Sequence, residues 1–199
     1  MRAEKLDTKI RQEQIAQAAM NLIASHGLKG LSVADLAHRI GLVPSAIYRH
    51  FKNKDHILDA VFTLIEGRLM TYISKVCGET EDALKRLNHL LILHVQVIHE
   101  NQAIPRLIFS DEFSTDYPEK KMRVYEIISR YLNGISEIVK EGQQRSQIRR
   151  DIDSKTISVM FLGIFQPAGV LWYLSDGGFD IAGHTKKAWK IFQESIRPK

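Results

Sequence analysis

The sequence predicts an all-α protein of about nine helices in two parts. Three observations carry that reading. Apolar residues return at steps of three and four along most of the chain between residues 8 and 196. Between residues 32 and 54, Ser32, Gly41 and Pro44 punctuate two short helices on either side of a tight turn. Residues 154–175 are apolar nearly all round, as in a helix buried on several sides. The 199 residues leave room for one large or two small domains, and a hydrophobic fraction of 44% is ample for a core.

Residues 1–7 read as a frayed, charged arm. Residues 8–26 form the first helix, with Ile10, Ile15, Ala18, Ala19, Leu22 and Ile23 on one side. Gly27 ends it, and Lys29-Gly30 makes the loop. Ser32 followed by Asp35 is a capping-box-like start, in which a side-chain oxygen takes a free amide and a carboxylate suits the dipole. Leu36, Ala37 and Ile40 give the next helix its apolar face. Gly41 stops it, because a left-handed conformation costs glycine nothing. Pro44 suits the first turn of a new helix, on which Ile47, Tyr48 and Phe51 follow.

Residues 54–76 make a long connecting helix. Ile57, Leu58, Val61, Phe62, Leu64, Ile65, Leu69, Tyr72 and Ile73 cover more than one of its faces, so it must touch two bodies. Residues 81–101 form another helix. His89, His94 and His99 recur there at steps of five, and about 100° per residue puts them on different faces, which argues against a metal site. His94, between Leu93 and Val95, is either a satisfied core histidine or a polar point in a pocket.

Pro105 opens or interrupts an apolar stretch from Ile104 to Phe113. Asp111 and Glu112 diverge by about 100° on a helix and read as a solvated face. Thr115-Asp-Tyr-Pro is a turn. Residues 118–145 form a long amphipathic helix, residues 154–175 the apolar one, and residues 183–196 the last. Pro167 is expected to kink the apolar helix, and Gly163 and Gly169 to admit another backbone.

Composition narrows the class. No apolar run is read as reaching the ~18 residues of a membrane span, and the charged start has no signal-peptide core. The lone Cys77 excludes an internal disulfide framework and reads as an inert half-buried thiol, with redox sensing the alternative. Together these fit a cytoplasmic protein. The net charge is +5, and residues 1–56 hold nine Lys/Arg against five Asp/Glu, so the excess sits on the helical hairpin. That is a footprint suited to phosphate, although ordinary surface chemistry can produce it. Two helices joined by a turn of about three residues are a helix-turn-helix arrangement, whose second helix is of the kind that enters a DNA major groove. Arg2, Lys5, Lys9 and Arg11 belong either to a solvated tail or to an arm on the DNA backbone or in an adjacent minor groove.

Ile47-Tyr48-Arg49-His50-Phe51-Lys52-Asn53-Lys54, with Asp55, Ile57 and Leu58 behind it, resembles the signature of the TetR family of bacterial transcriptional regulators. Ile15, Ala18, Ala19, Leu22, Ile23, Gly27, Leu31, Ser32 and Val33 also resemble that family's first helix and its lead-in. The chain departs from it at Val43-Pro44-Ser45, where many members carry Ser or Thr and then Gly. The resemblance implies a three-helix helix-turn-helix DNA-binding domain over residues 1–56. It implies a larger α-helical ligand-binding and dimerisation domain over residues 57–199. It further implies a homodimer on a pseudo-palindromic double-stranded DNA operator, paired through the last two helices.

Carried over by position, Ser32 stands at the family's phosphate contact, and Val33 beside it joins the DNA-binding set. Pro44, Ser45, Ala46 and Arg49 stand where base edges are met, Arg49 reaching guanine or phosphate, and Val43 before them joins the DNA-binding set. Tyr48, His50 and Lys54 stand at phosphate-clamping places. Tyr48 is otherwise a half-buried ring, and His50 a helix C-terminal dipole partner. A small, largely apolar or amphipathic effector is expected among Tyr72, His94, Phe109, Phe113, Tyr125, Tyr131, Phe161, Phe165 and Trp172, a set that would also serve as plain core. The expected role is a repressor released by that effector. An activator or a ligand-independent regulator of the same fold is the alternative. No nucleophile elbow, phosphate-binding glycine loop, His-Glu-x-x-His or cysteine pair points to an enzyme, a metal or a cofactor.

Overall fold

A computed structural model describes residues 8–100 and 117–198 of the chain, backbone only at 99 and 100. The described residues form eight helices and no strand. These are α1 (Thr8–His26), α2 (Val33–Arg39), α3 (Pro44–Tyr48), α4 (Lys54–Glu79), α5 (Ala83–Glu100), α6 (Pro118–Gln144), α7 (Ser154–Leu174) and α8 (Ile181–Ile196). The arm at 1–7, the stretch from Ile104 to Phe113 with Asp111 and Glu112, and the turn before Tyr117 lie outside the described residues.

The chain divides into two compact units. The first comprises residues up to Gly67 together with the start of α6 as far as Val124. In it Ile15, Ala19, Leu22 and Ile23 of α1 are buried with Leu36 and Ala37 of α2, Ile47 of α3 and Phe51. Three ionic contacts bind the first turns of α6 to α4. The Lys120 ammonium lies 2.9 Å from Asp55 and 2.6 Å from Asp59, and Arg123 donates to Glu66 at 2.5 Å. Desolvation pulls the Lys120 ammonium down, but its hydrogen bonds to Asp59 and Asp55 outweigh that and hold it above its ordinary value.

The second unit comprises residues 68–100 and 125 onward. Leu87, Leu90, Tyr131, Ile135, Ile138, Ile157, Phe161 and Phe192 form the centre of its core. Asp153 caps α7 by accepting from the Thr156 amide at 2.9 Å, and Asp180 caps α8 by accepting from the Gly183 amide at 2.8 Å. Aspartate at both starts fixes where these two helices begin.

The sequence reading of α7 needs two corrections. Residues Ser154–Leu174 are long and apolar enough by composition to cross a membrane, contrary to the expectation that no run would reach that length. The reason lies in packing: Ile157, Phe161, Ile164, Phe165 and Ala168 are buried within the protein fold. Gly163 meets nothing within 4 Å of where a Cβ would stand, and at Gly169 a Cβ would first meet the Ile98 side chain, at 3.3 Å, so the expected approach of another backbone is found at neither. The helix continues through Pro167, which leaves the Gly163 carbonyl without its usual amide partner.

Candidate nucleic-acid interface

The hairpin is built by its caps. The Ser32 hydroxyl accepts from the Asp35 amide at 3.0 Å and donates to the Asp35 carboxylate at 2.6 Å. At the other end of α2, Gly41 stands at φ +66°. The Leu42 amide donates to the Ala37 carbonyl at 2.8 Å, and the Gly41 amide to His38 at 3.2 Å. This reciprocal pair closes the helix through a left-handed glycine and turns the chain at once toward α3. Pro44 takes the first helical position, where a missing N–H leaves nothing unsatisfied.

Helix α3 therefore presents two different faces. Ile47 points into the core with no exposure at all, while Val43 is 62% and Tyr48 54% exposed. Pro44, Ser45 and Arg49 are also exposed, and Ala46 is half-buried. Tyr48 and Arg49 have no hydrogen-bond or ion-pair partner among the described residues. The arrangement offers a hydroxyl, a guanidinium, a phenol and two apolar surfaces on one side, a set suited to base edges and phosphates.

Three expected contacts are placed less openly. Ser32 is half-buried with its single hydroxyl proton directed at Asp35, and Val33 after it is half-buried as well. The Lys54 ammonium donates to the Leu28 carbonyl at 3.1 Å, which ties the start of α4 to the loop after α1. His50 accepts through its carbonyl from Gln12 at 3.4 Å, while its ring Nδ1 is buried and unpartnered. Lys52, beside them, is exposed. The alternation of lysines along the sequence does not say which of the two side chains faces outward.

Five of the nine expected effector residues come together in the second unit. His94 stacks on Phe165 with ring centroids 4.0 Å apart, and meets Tyr131 edge-on at 5.2 Å. Tyr72 approaches His94 at 6.4 Å, and Phe161 approaches Phe165 at 6.0 Å. His94 Nε2 and the Tyr131 hydroxyl share a hydrogen bond. Burial lowers the His94 pKa to about 3 and raises that of Tyr131. Both are therefore neutral near pH 7, and the pair is an uncharged polar point among rings. Tyr125 is 67% exposed and does not join, because α6 turns that position outward. Trp172 lies at the far end of α7 against Gly177, and Phe109 and Phe113 fall outside the described residues.

Comparison with known proteins divides the chain within α4. Residues 15–61 match the model of bacterial regulatory proteins of the tetR family, and residues 62–195 match that of the C-terminal region of YsiA-like proteins. The nucleoid occlusion factor SlmA of Shewanella woodyi is 23% identical over 186 residues, spanning 94% of each chain. The fatty acid metabolism regulator protein of Bacillus subtilis is 24% identical over 94% of this chain and 95% of its own. The solved structure of the B. subtilis regulator FadR in complex with stearoyl-CoA superposes with a TM-score of 0.78 at 23% identity, covering 92% of this chain and 98% of that one.

Proposed function

Because the chain belongs to the TetR family of bacterial regulatory proteins, we propose that it is a dimeric, sequence-specific DNA-binding transcriptional repressor, released by a small and largely apolar effector. It acts in the cytoplasm by binding and not by catalysis. Residues 1–56 serve as the DNA-binding domain and residues 57–199 as the effector and dimerisation domain. The observation that carries this reading is the division of α3 into a buried Ile47 and an exposed Val43, Pro44, Ser45, Tyr48 and Arg49.

A single short helix reads few bases. Two copies spaced by about one turn of duplex, roughly 34–36 Å, read a pseudo-palindrome. The outward side of α7 supports such pairing. Met160, Gly163, Pro167, Leu171 and Leu174 follow one another at steps of three and four and are all exposed, with Ile191 of α8 exposed as well. The open space over Gly163 would admit a partner's side chains closely.

The effector is expected at the Tyr72, His94, Tyr131 and Phe165 cluster. Neutral His94 and Tyr131 suit a ligand carbonyl or hydroxyl, and the rings suit an apolar body. The B. subtilis relative bound to stearoyl-CoA makes a long-chain acyl thioester the first compound to test. Tyr72 lies on α4 and Tyr131 on α6, the two helices joined nearer the hairpin by Lys120 and Arg123. A ligand favouring one placement of these helices would shift the spacing of the two heads by that difference in affinity.

The test is fluorescence anisotropy on inverted repeats selected from random duplexes. The expected result is one enriched pseudo-palindrome whose complex is dispersed by palmitoyl- or stearoyl-CoA. No enrichment at low salt would overturn the DNA reading, and an enriched site unaffected by any apolar ligand would overturn the effector reading. Tyr48→Ala is expected to weaken binding to selected and random duplexes alike by about tenfold, the loss of one phosphate-positioning hydrogen bond and its ring contact. Lys54→Ala is expected to lower the melting temperature as well, because its ammonium holds the Leu28 carbonyl. A Tyr48→Ala protein that discriminates poorly but binds random DNA normally would move Tyr48 from clamping to base reading.

A further inference from the structure

A groove of about 490 Å³ runs between α5 and α8 in the second unit, apart from the His94 cluster. Leu91, Ile92, Val95 and Trp189 make its floor, and Lys186 and Lys190 rise from α8 along it. Ile92 is exposed, which leaves a branched apolar side chain facing water on the floor. Trp189 is nearly buried, so the floor is rigid under it.

The charged side chains that line the groove are of one sign. No carboxylate occurs from residue 83 to 99 on α5 or from residue 181 to 193 on α8. The acid just before α8, Asp180, is engaged by the Gly183 amide at 2.8 Å. The Thr185 hydroxyl on the same wall donates to the Ile181 carbonyl at 2.8 Å and offers no proton outward. Lys186 and Lys190 have no ion-pair partner among the described residues, one helical turn apart on the same wall. Two ammonium groups on flexible stems above an apolar trough match a ligand with one anionic end and one apolar body. From Asn88 to Gln96 the α5 wall runs about 12 Å at 1.5 Å per residue, the length of roughly ten bonded carbons.

We propose that this groove is a second small-molecule site, which binds an amphipathic carboxylate of about ten carbons with its chain along Leu91, Ile92 and Val95 and its head between Lys186 and Lys190. The site stands independently of the operator and of the His94 cluster. It also joins α5 to α8, the helix that carries Ile191, so its occupant would brace the element proposed to pair with a second copy.

The experiment uses the full chain with decanoate and decanol below their micelle concentrations, read by amide chemical shifts and calorimetry. Decanoate is expected to shift amides of residues 88–96 and 182–190. Its affinity should fall at least fivefold in a Lys186→Glu, Lys190→Glu double variant, while decanol binding is unchanged. Ile92→Glu should weaken both ligands, and the melting temperature of each variant shows that it folds. The proposal is overturned if the double variant binds decanoate as well as the parent, or if decanoate perturbs only the surroundings of His94. It is equally overturned if the groove amides answer to protein concentration or to an acidic peptide and not to decanoate.

Discussion

Replacing Leu174 or Ile191 by glutamate is expected to give a folded monomer that has lost at least about a hundredfold in operator affinity. Each side chain is 71% exposed in the protomer. A polar replacement at such a site changes protomer stability by no more than about 0.5 kcal/mol. In a two-fold pairing of α7 and α8 the same position is covered, and symmetry places the new carboxylate in the interface twice. An unpaired charge buried in an apolar contact costs several kcal/mol, enough to dissociate a dimer at micromolar concentration. A monomer then binds one half-site with few base contacts and no gain from the second head. Light scattering reports the mass, thermal melting the fold, and anisotropy on a full and a half operator the affinity. A variant that stays dimeric and binds normally would place the pairing surface elsewhere on the molecule.

Much of this architecture is legible along the chain because its determinants are local. The Ser32–Asp35 cap, the left-handed Gly41 and Pro44 at the first helical position each declare their conformation within a few residues, and the structure places all three as expected. Helix periodicity likewise placed α1 and α6 within a residue at each end. What the chain does not state is where a long side chain goes. Nothing near Lys54 in sequence says that its ammonium meets Leu28, a residue 26 positions away. The same holds for Tyr125 and Tyr131, both aromatic and both on α6. One faces water and the other a buried histidine, because six residues turn a helix by about 600°, most of the way to the opposite side. The uncharged tract of α7, residues 156–174, hides its length for a related reason. Serine, glycine, glutamine and proline interrupt it to the eye without removing its apolar character. Only burial of its inner side identifies it as a core helix.

Between pH 7 and pH 5 the protein is expected to lose about 2 kcal/mol of stability through His94 alone. Burial lowers this imidazole from 6.5 to about 3, so the folded chain keeps it neutral where the unfolded chain takes up a proton. The unfolded state thus binds more protons throughout that window, and stability falls as pH drops. The contribution is fully present above about pH 6.5, declines by up to about 1.4 kcal/mol per unit below it, and levels off once the folded chain protonates. For a chain of this length 2 kcal/mol corresponds to roughly 4–8 °C in melting temperature. The chain holds seven further histidines, so the informative quantity is a difference. His94→Gln keeps a planar group able to meet the Tyr131 hydroxyl but cannot take up a proton. It should remove about 2 kcal/mol of the pH 7 to pH 5 loss. Tyr131→Phe should instead lower stability by about 1–3 kcal/mol at both pH values, since it leaves the imidazole unpaired without charging it. If the parent and His94→Gln melt with the same pH dependence, the folded protein admits a proton to His94 and the cluster is open to water. A ligand there would then meet an imidazolium, and the case for an uncharged effector head at that site would fall with it.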